Sequence, residues 1–223
     1  MATAFFNPSD PFGIATGSGV KWEVQTNAPS TTKDRAQALK ANGDELASRQ
    51  YNARTTVTAT YTATAADAPV PKFGAILGGY HVDTVALAYT NTGFVAMTLT
   101  GHKHGTSNHP ACRTYTGSIT TVGVLFGCPA SPVGCTIPAG AGIRSVQYSL
   151  QGNHIDELGT SGEFLAAENH DGNETVTVEL CDNGTITADT GWDCTSSGNS
   201  QGNTAAETST GTFEHHIQAD ATT

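Results

Sequence analysis

The sequence predicts an all-β fold, a β-sandwich or barrel built around two related long β-hairpins. Three observations point there. Threonine-rich runs such as Thr55-Thr56-Val57-Thr58 and Thr175-Val176-Thr177-Val178 favour pleated, half-buried strands. Few segments carry the apolar period of a long amphipathic helix. The chain also repeats itself, and a repeat constrains the fold more than any local propensity does.

In the repeat, Gly17-Ser18-Gly19-Val20-Lys21 aligns with Gly140-Ala141-Gly142-Ile143-Arg144, and Gly43-Asp44-Glu45-Leu46-Ala47 with Gly162-Glu163-Phe164-Leu165-Ala166. Tyr51-Asn52 then matches His170-Asp171, and Thr56-Val57-Thr58 matches Thr175-Val176-Thr177. The later blocks keep a constant offset; the first needs a small gap. The repeat also decides a local conflict. Residues 32–41 have helical propensity, with Gly43 as a C-cap, but their counterpart 154–162 does not. An extended hairpin suits both copies. Asn42-Gly43 is a hairpin-turn dipeptide because both residues tolerate positive φ, and Ser161-Gly162 falls at the matching tip. The expected arms are 20–41 with 44–61, and 143–160 with 163–181.

Residues 82–100 read as two further strands turning at Asn91-Thr92-Gly93, and 105–138 as loop, broken by Pro110, Pro129, Pro132 and Pro138. Residues 182–211 read as a polar surface loop and 212–217 as a last strand. The layout is an N-terminal arm (1–16), a β domain (17–218) and a C-terminal tail (219–223). The domain has two related halves, 17–104 and 140–218, linked by a loop at 105–139.

The formal net charge of the 223 residues is −10 and is unevenly placed. Residues 1–113 carry nine Lys/Arg against seven Asp/Glu; residues 114–223 carry Arg144 alone against thirteen Asp/Glu. The second half repels phosphate, which argues against a sequence-reading nucleic-acid binder. No run approaches the ~18 apolar residues of a membrane span, and residues 1–16 lack a secretory pattern. Cys112, Cys128, Cys135, Cys181 and Cys194 form no CxxC pair. Cys128 with Cys135 and Cys181 with Cys194 are spaced to close short loops, but reduced thiols suit a chain folded in a cytoplasm.

His102, His104 and His109 are weak metal candidates: an HxH pair on a strand shares one side, but no fourth ligand is evident. Solvated histidines at a strand end are the plainer expectation, and no metal or cofactor is assigned. Asp156, Glu157, Glu163, Glu168 and Asp171 read as a solvated acidic face, because Trp22 and Trp192 adjoin none of them as a sugar platform would. Asn153-His154-Ile155-Asp156 lacks an accompanying nucleophile motif, and no phosphate loop is present. A non-enzymatic protein is expected.

The two hairpin blocks, 20–61 and 143–180, together with Leu99-Thr100-Gly101-His102-Lys103-His104, resemble the tail tube (major tail) proteins of bacteriophages. The resemblance implies a virion structural protein, assembled in the host cytoplasm and located in the tail. Its hairpins would join an oligomeric β-barrel ring, and stacked rings would conduct DNA, which passes without specific binding. Its partners would be itself, as a hexamer in preference to a trimer, and other tail proteins. A head–tail joining or capsid-decorating protein is the alternative, and a glycan- or receptor-binding module a more distant one.

Overall fold

The computed structural model describes residues 9–16, 19–105, 109–124, 132–159, 164–182, 184–200 and 207–220. Eleven strands run through them: β1 Trp22–Leu39, β2 Glu45–Ala63, β3 Ile76–Leu77, β4 Tyr80–Thr90, β5 Ala96–His104, β6 Cys135–Thr136, β7 Ile143–Leu158, β8 Phe164–Leu180, β9 Thr187–Ala188, β10 Asp193–Ser200 and β11 Thr208–His216. The described residues hold no α-helix, only a short 3-10 turn at Val122–Val124. Among the described residues no helix is long and apolar enough to cross a membrane.

One large antiparallel sheet dominates, in the order β1-β2-β5-β4-β7-β8-β11-β10, with β3 beside β4; β6 and β9 form a separate small ladder. Strand alternation gives the sheet two different faces. Tyr61, Met97, Leu87, Tyr148, Val176 and Phe213 lie opposite one another in sequence across six strands. All are at most 2% exposed. Burying each such side chain contributes roughly 1.5–3 kcal/mol. The neighbouring row on the other face is Thr60, Thr98, Ala86, Ser149, Thr175 and Glu214. The rows through Thr62 and Thr58 are equally free of Lys and Arg.

The apolar face is covered by connecting segments. Phe73 and Tyr115, joined by an isolated bridge, lie over Gly152 and Gly172, where any Cβ would strike their rings. Phe12, in the segment read from sequence as an arm, is 2% exposed in the same core, and Tyr61 Oη donates to Asp10 at 2.8 Å. At the other end Asp220 accepts from Lys72 Nζ (2.8 Å), Thr114 Oγ1 (2.8 Å) and Thr116 Oγ1 (3.0 Å). Partial burial opposes ionisation of Asp220, but Lys72, Thr114 and Thr116 outweigh it and hold the carboxyl at about 2 against an ordinary 3.8. Its contribution is complete above pH 3.8 and is lost as pH falls through about 2. Asp220→Asn is therefore expected to lower the unfolding temperature by about 2–4 °C at pH 5, the size of one partly exposed charged hydrogen bond. Thermal melts from pH 5 to pH 1.5 should show the two proteins converge.

The two halves are duplicates at the level of register. A shift of 119 residues (Val24 to Ile143, Tyr61 to Leu180) carries the β1–β2 pairing onto β7–β8. All three irregularities of the first hairpin, Val24/Thr26, Thr32/Asp34 and Ala38/Leu39, recur as Ile143/Ser145, Gln151/Asn153 and Glu157/Leu158. A shift of 112 residues (His81 to Asp193, His102 to Glu214) carries β4–β5 onto β10–β11, including the bulge at Val82/Thr84, which recurs at Cys194/Ser196. Each half thus has the order β1-β2-β5-β4 or β7-β8-β11-β10, and the halves meet where β4 pairs with β7.

The sequence expectations need two corrections. Residues 32–39 are strand, as the repeat required, but the first aligned block was slipped: Val24, not Val20, corresponds to Ile143. Residues 182–211 are not simply a loop, because they hold β10 and the start of β11. All of β10 is exposed, so it shows no apolar alternation. Cys112, Cys135, Cys181 and Cys194 are separate thiols; Cys128 lies outside the described residues.

Candidate functional site

Two features stand out: the sheet's unpartnered edges with their hairpins, and a buried histidine–carboxylate cluster. β2 pairs with β5 only as far as Arg54↔His104. Beyond that point the first hairpin continues as a two-stranded ribbon to its turn, where Gly43 adopts φ 88° and its N–H donates to Lys40 O at 2.9 Å. The asparagine of this tip, Asn42, accepts from the Asp44 N–H at 3.2 Å. Residues 28–39 of β1 are exposed on both faces, as is all of β10. Among the described residues no strand lies outside either one. Leu46 and Leu165 occupy equivalent positions near the two tips and are 64% and 63% exposed. The second tip, Ser161-Gly162, lies outside the described residues.

The cluster forms where the second hairpin leaves the sheet. Register sets His81 on β4 opposite His102 on β5, and His104 follows on β5. The chain after β5 supplies His109, and β7 supplies His154 and Asp156. The three candidate histidines from sequence are thus brought together, but not as a solvated strand end: His102 is 0% exposed, His109 3% and His104 9%. Four imidazoles point Nε2 at one carboxylate. Asp156 Oδ2 meets His102 at 2.8 Å and His104 at 3.1 Å, and Oδ1 meets His109 at 2.9 Å and His154 at 2.8 Å. The expectation of a solvated acidic face fails for Asp156, whose side chain is only 11% exposed.

A second layer holds the rings. His102 Nδ1 faces both oxygens of Asp83 at 2.8 Å, His109 Nδ1 faces Pro110 O at 2.8 Å, and His154 Nδ1 faces Asn169 Oδ1 at 2.5 Å. The Asn169 amide is oriented by Nδ2 donating to Arg113 O at 2.6 Å. His81 bridges Asp83 and Asn169, both at 2.8 Å. Burial opposes ionisation of Asp156, but hydrogen bonds from His102, His109 and His154 outweigh it and lower its pKa. Burial likewise opposes ionisation of Asp83, while His102 and His81 hold it down at about 2. Burial lowers the pKa of His81 and of His104. In His102 burial is outweighed by Asp156 and Asp83, and the pKa rises. Nearby Cys112 is pushed up to about 11 by burial and by the charges of Asp156 and Glu168, and so stays a thiol.

Sequence reasoning missed His81, Asp83, His154, Asp156 and Asn169 as members of this group. The available signal was a break in the repeat: His154 and Asp156 stand where the first half has Arg35 and Gln37. No protein-family model matches the chain, and no curated protein matches it.

Proposed function

We propose that the chain is a self-assembling structural subunit whose copies close into rings, and that the rings stack as a bacteriophage tail tube. One observation carries the reading: the two outer edges of the sheet are, by the duplication, copies of the two strands that already pair at its centre. β10 is the counterpart of β4, and β1 the counterpart of β7. Carrying Thr84↔Gln151, Val85↔Leu150 and Ala86↔Ser149 through the two shifts gives a ladder between copies: Ser196 with Thr32, Ser197 with Thr31, and Gly198 with Ser30. Pro29, lacking an N–H, costs that ladder at most one bond. Pairing removes both exposed edges, and a closed ring leaves none.

Charge supports the same join. β1 belongs to the half with nine Lys/Arg against seven Asp/Glu, and β10 to the half with one against thirteen. Opposite halves of neighbouring copies attract and like halves repel, which favours the head-to-tail arrangement. With eight strands per chain on the main path, three copies give a barrel of about 24 strands, roughly 50 Å across between backbones. Six copies would give about 48 strands and roughly 95 Å, far wider than a DNA duplex needs. The trimer is therefore favoured over the hexamer that the family resemblance suggested. The Thr/Ser/Gln face, without Lys or Arg in its three central rows, would line the channel and let DNA slide past.

Negative-stain electron microscopy of the concentrated protein tests this. Rings of three chains, or tubes of stacked rings, are expected. A stable monomer at high concentration would refute it, and single rings that never stack would move the assignment to a head–tail joining protein.

A further inference from the structure

We infer that His102, His109, His154 and Asp156 bind one divalent first-row transition ion, zinc being the best match, which fastens the base of the second hairpin to β5 and to the segment after it. This goes beyond the assembly reading and does not depend on it. Each of the four residues places one donor atom within 4.8 Å of the others. A tetrahedral zinc site has bonds of about 2.0–2.2 Å, hence neighbouring donors roughly 3.3–3.5 Å apart, a modest rearrangement of this group. Three imidazoles and one carboxylate suit zinc and its neighbours rather than calcium or magnesium, which prefer oxygen.

The hydrogen-bond inventory carries the inference. A neutral imidazole has one N–H and one lone pair. His102, His109 and His154 each turn both ring nitrogens towards oxygen acceptors: Nε2 to Asp156, and Nδ1 to Asp83, Pro110 O or Asn169 Oδ1. Without an ion, three rings, two of them buried and His154 only 11% exposed, would each need two N–H donors and a full positive charge at close quarters. The ring centroids of His102, His109 and His154 lie 5.0–5.2 Å apart. With an ion among the Nε2 atoms and Asp156, each ring is neutral and donates Nδ1–H to the oxygen it already faces. This is the second layer that orients metal-ligating histidines: a carboxylate, a backbone carbonyl and an amide oxygen, each on a different ring. His104 Nε2, at 3.1 Å from Asp156 Oδ2, is then a donor to the ligating carboxylate.

The duplication supplies an internal contrast. At the corresponding places the other half has Glu214 for His102, Arg35 for His154 and Gln37 for Asp156. The site therefore exists once per chain, and it ties β5 of the first half to β7 of the second.

The test uses the full chain, stripped with chelator and re-equilibrated with buffered Zn²⁺, with metal measured by mass spectrometry whether the protein is monomeric or assembled. One zinc per chain is expected. His102→Ala and His109→Ala should each lower retention at least tenfold, and His216→Ala, at the duplicate position of His104, should not. Zinc at a hundredfold excess over its dissociation constant should raise the unfolding temperature of the wild type by about 5–10 °C. Co²⁺ titration of the wild type, which needs no variant to fold, should give the intense visible absorption of a four-coordinate site. No retained zinc, retention unchanged in both ligand variants, or only the weak absorption of six-coordinate Co²⁺ would overturn the inference.

Discussion

Arg35→Glu is expected to abolish ring formation while leaving the subunit folded. Within the chain, the rings of His81 and His154 lie with centroids 3.9 Å apart across the β4–β7 join. The duplication replaces His81 by Asp193, His102 by Glu214 and His154 by Arg35. At the proposed seam between copies, Arg35 of one would thus meet Asp193 and Glu214 of the next. Among the described residues of the single chain, Arg35 pairs with Glu45 at 2.6 Å on the surface, and such a pair is worth about 0–1 kcal/mol. Reversing the charge replaces attraction by repulsion in a partly desolvated seam and should cost about 2–5 kcal/mol per join. Association at each join should weaken by roughly 30-fold to several thousandfold. Adding Asp193→Lys and Glu214→Lys to the same chain should restore rings. Sedimentation velocity reads both steps, and the far-ultraviolet circular dichroism of the single variant should match that of the wild-type monomer.

The largest loss of stability from one side chain is expected at Glu174. It is 0% exposed, on the apolar face of β8, where the first half has Thr55. Its carboxylate accepts from Ser118 N at 2.8 Å, Ser118 Oγ, Tyr148 Oη at 2.9 Å and His215 Nδ1 at 2.8 Å. One side chain thereby fastens the loop through Ser118 to three strands of the sheet. Glu174→Leu keeps approximate volume but leaves the buried Tyr148 hydroxyl without its acceptor and releases the Ser118 N–H and hydroxyl from the sheet. The cost should be about 3–5 kcal/mol, or roughly 6–20 °C in unfolding temperature for a chain of this size. Glu174→Gln retains one acceptor oxygen and should lose about half as much. Thermal melts at pH 7 measure both.

How far the sequence could be read depended on whether local signals agreed with tertiary ones. In β8, Val176, Val178 and Leu180 are buried and alternate with Thr177 and Glu179, so the strand was visible directly. In β1, Lys33, Arg35, Ala36 and Leu39 have good helix propensity, yet the segment is strand because β2 pairs along it. Only comparison with the second copy revealed this. β10, Asp193–Ser200, was missed because a strand exposed on both faces needs no apolar residues. The glycines at 17–19 and 140–142 drew the first alignment block into a false match, since turn residues recur without homology. The cluster was half legible: His102, His104 and His109 are close in sequence, but His154 and Asp156 reach them only through the β4–β7 register. Asn169 arrives one strand later, opposite His154.

Disulfide trapping at the proposed seam tests the central claim most directly. Ser197→Cys and Thr31→Cys should sit directly opposite each other on neighbouring copies, as Val85 and Leu150 do inside one copy. Mild oxidation of a mixture of the two single variants should give covalent dimers, and the double variant should give a ladder ending at the ring size. Pairing Ser197→Cys with Asn27→Cys, four positions along β1, should give almost none. Equal yields from both pairings, or no crosslink at concentrations where rings are seen, would mean that β10 and β1 do not meet in this register.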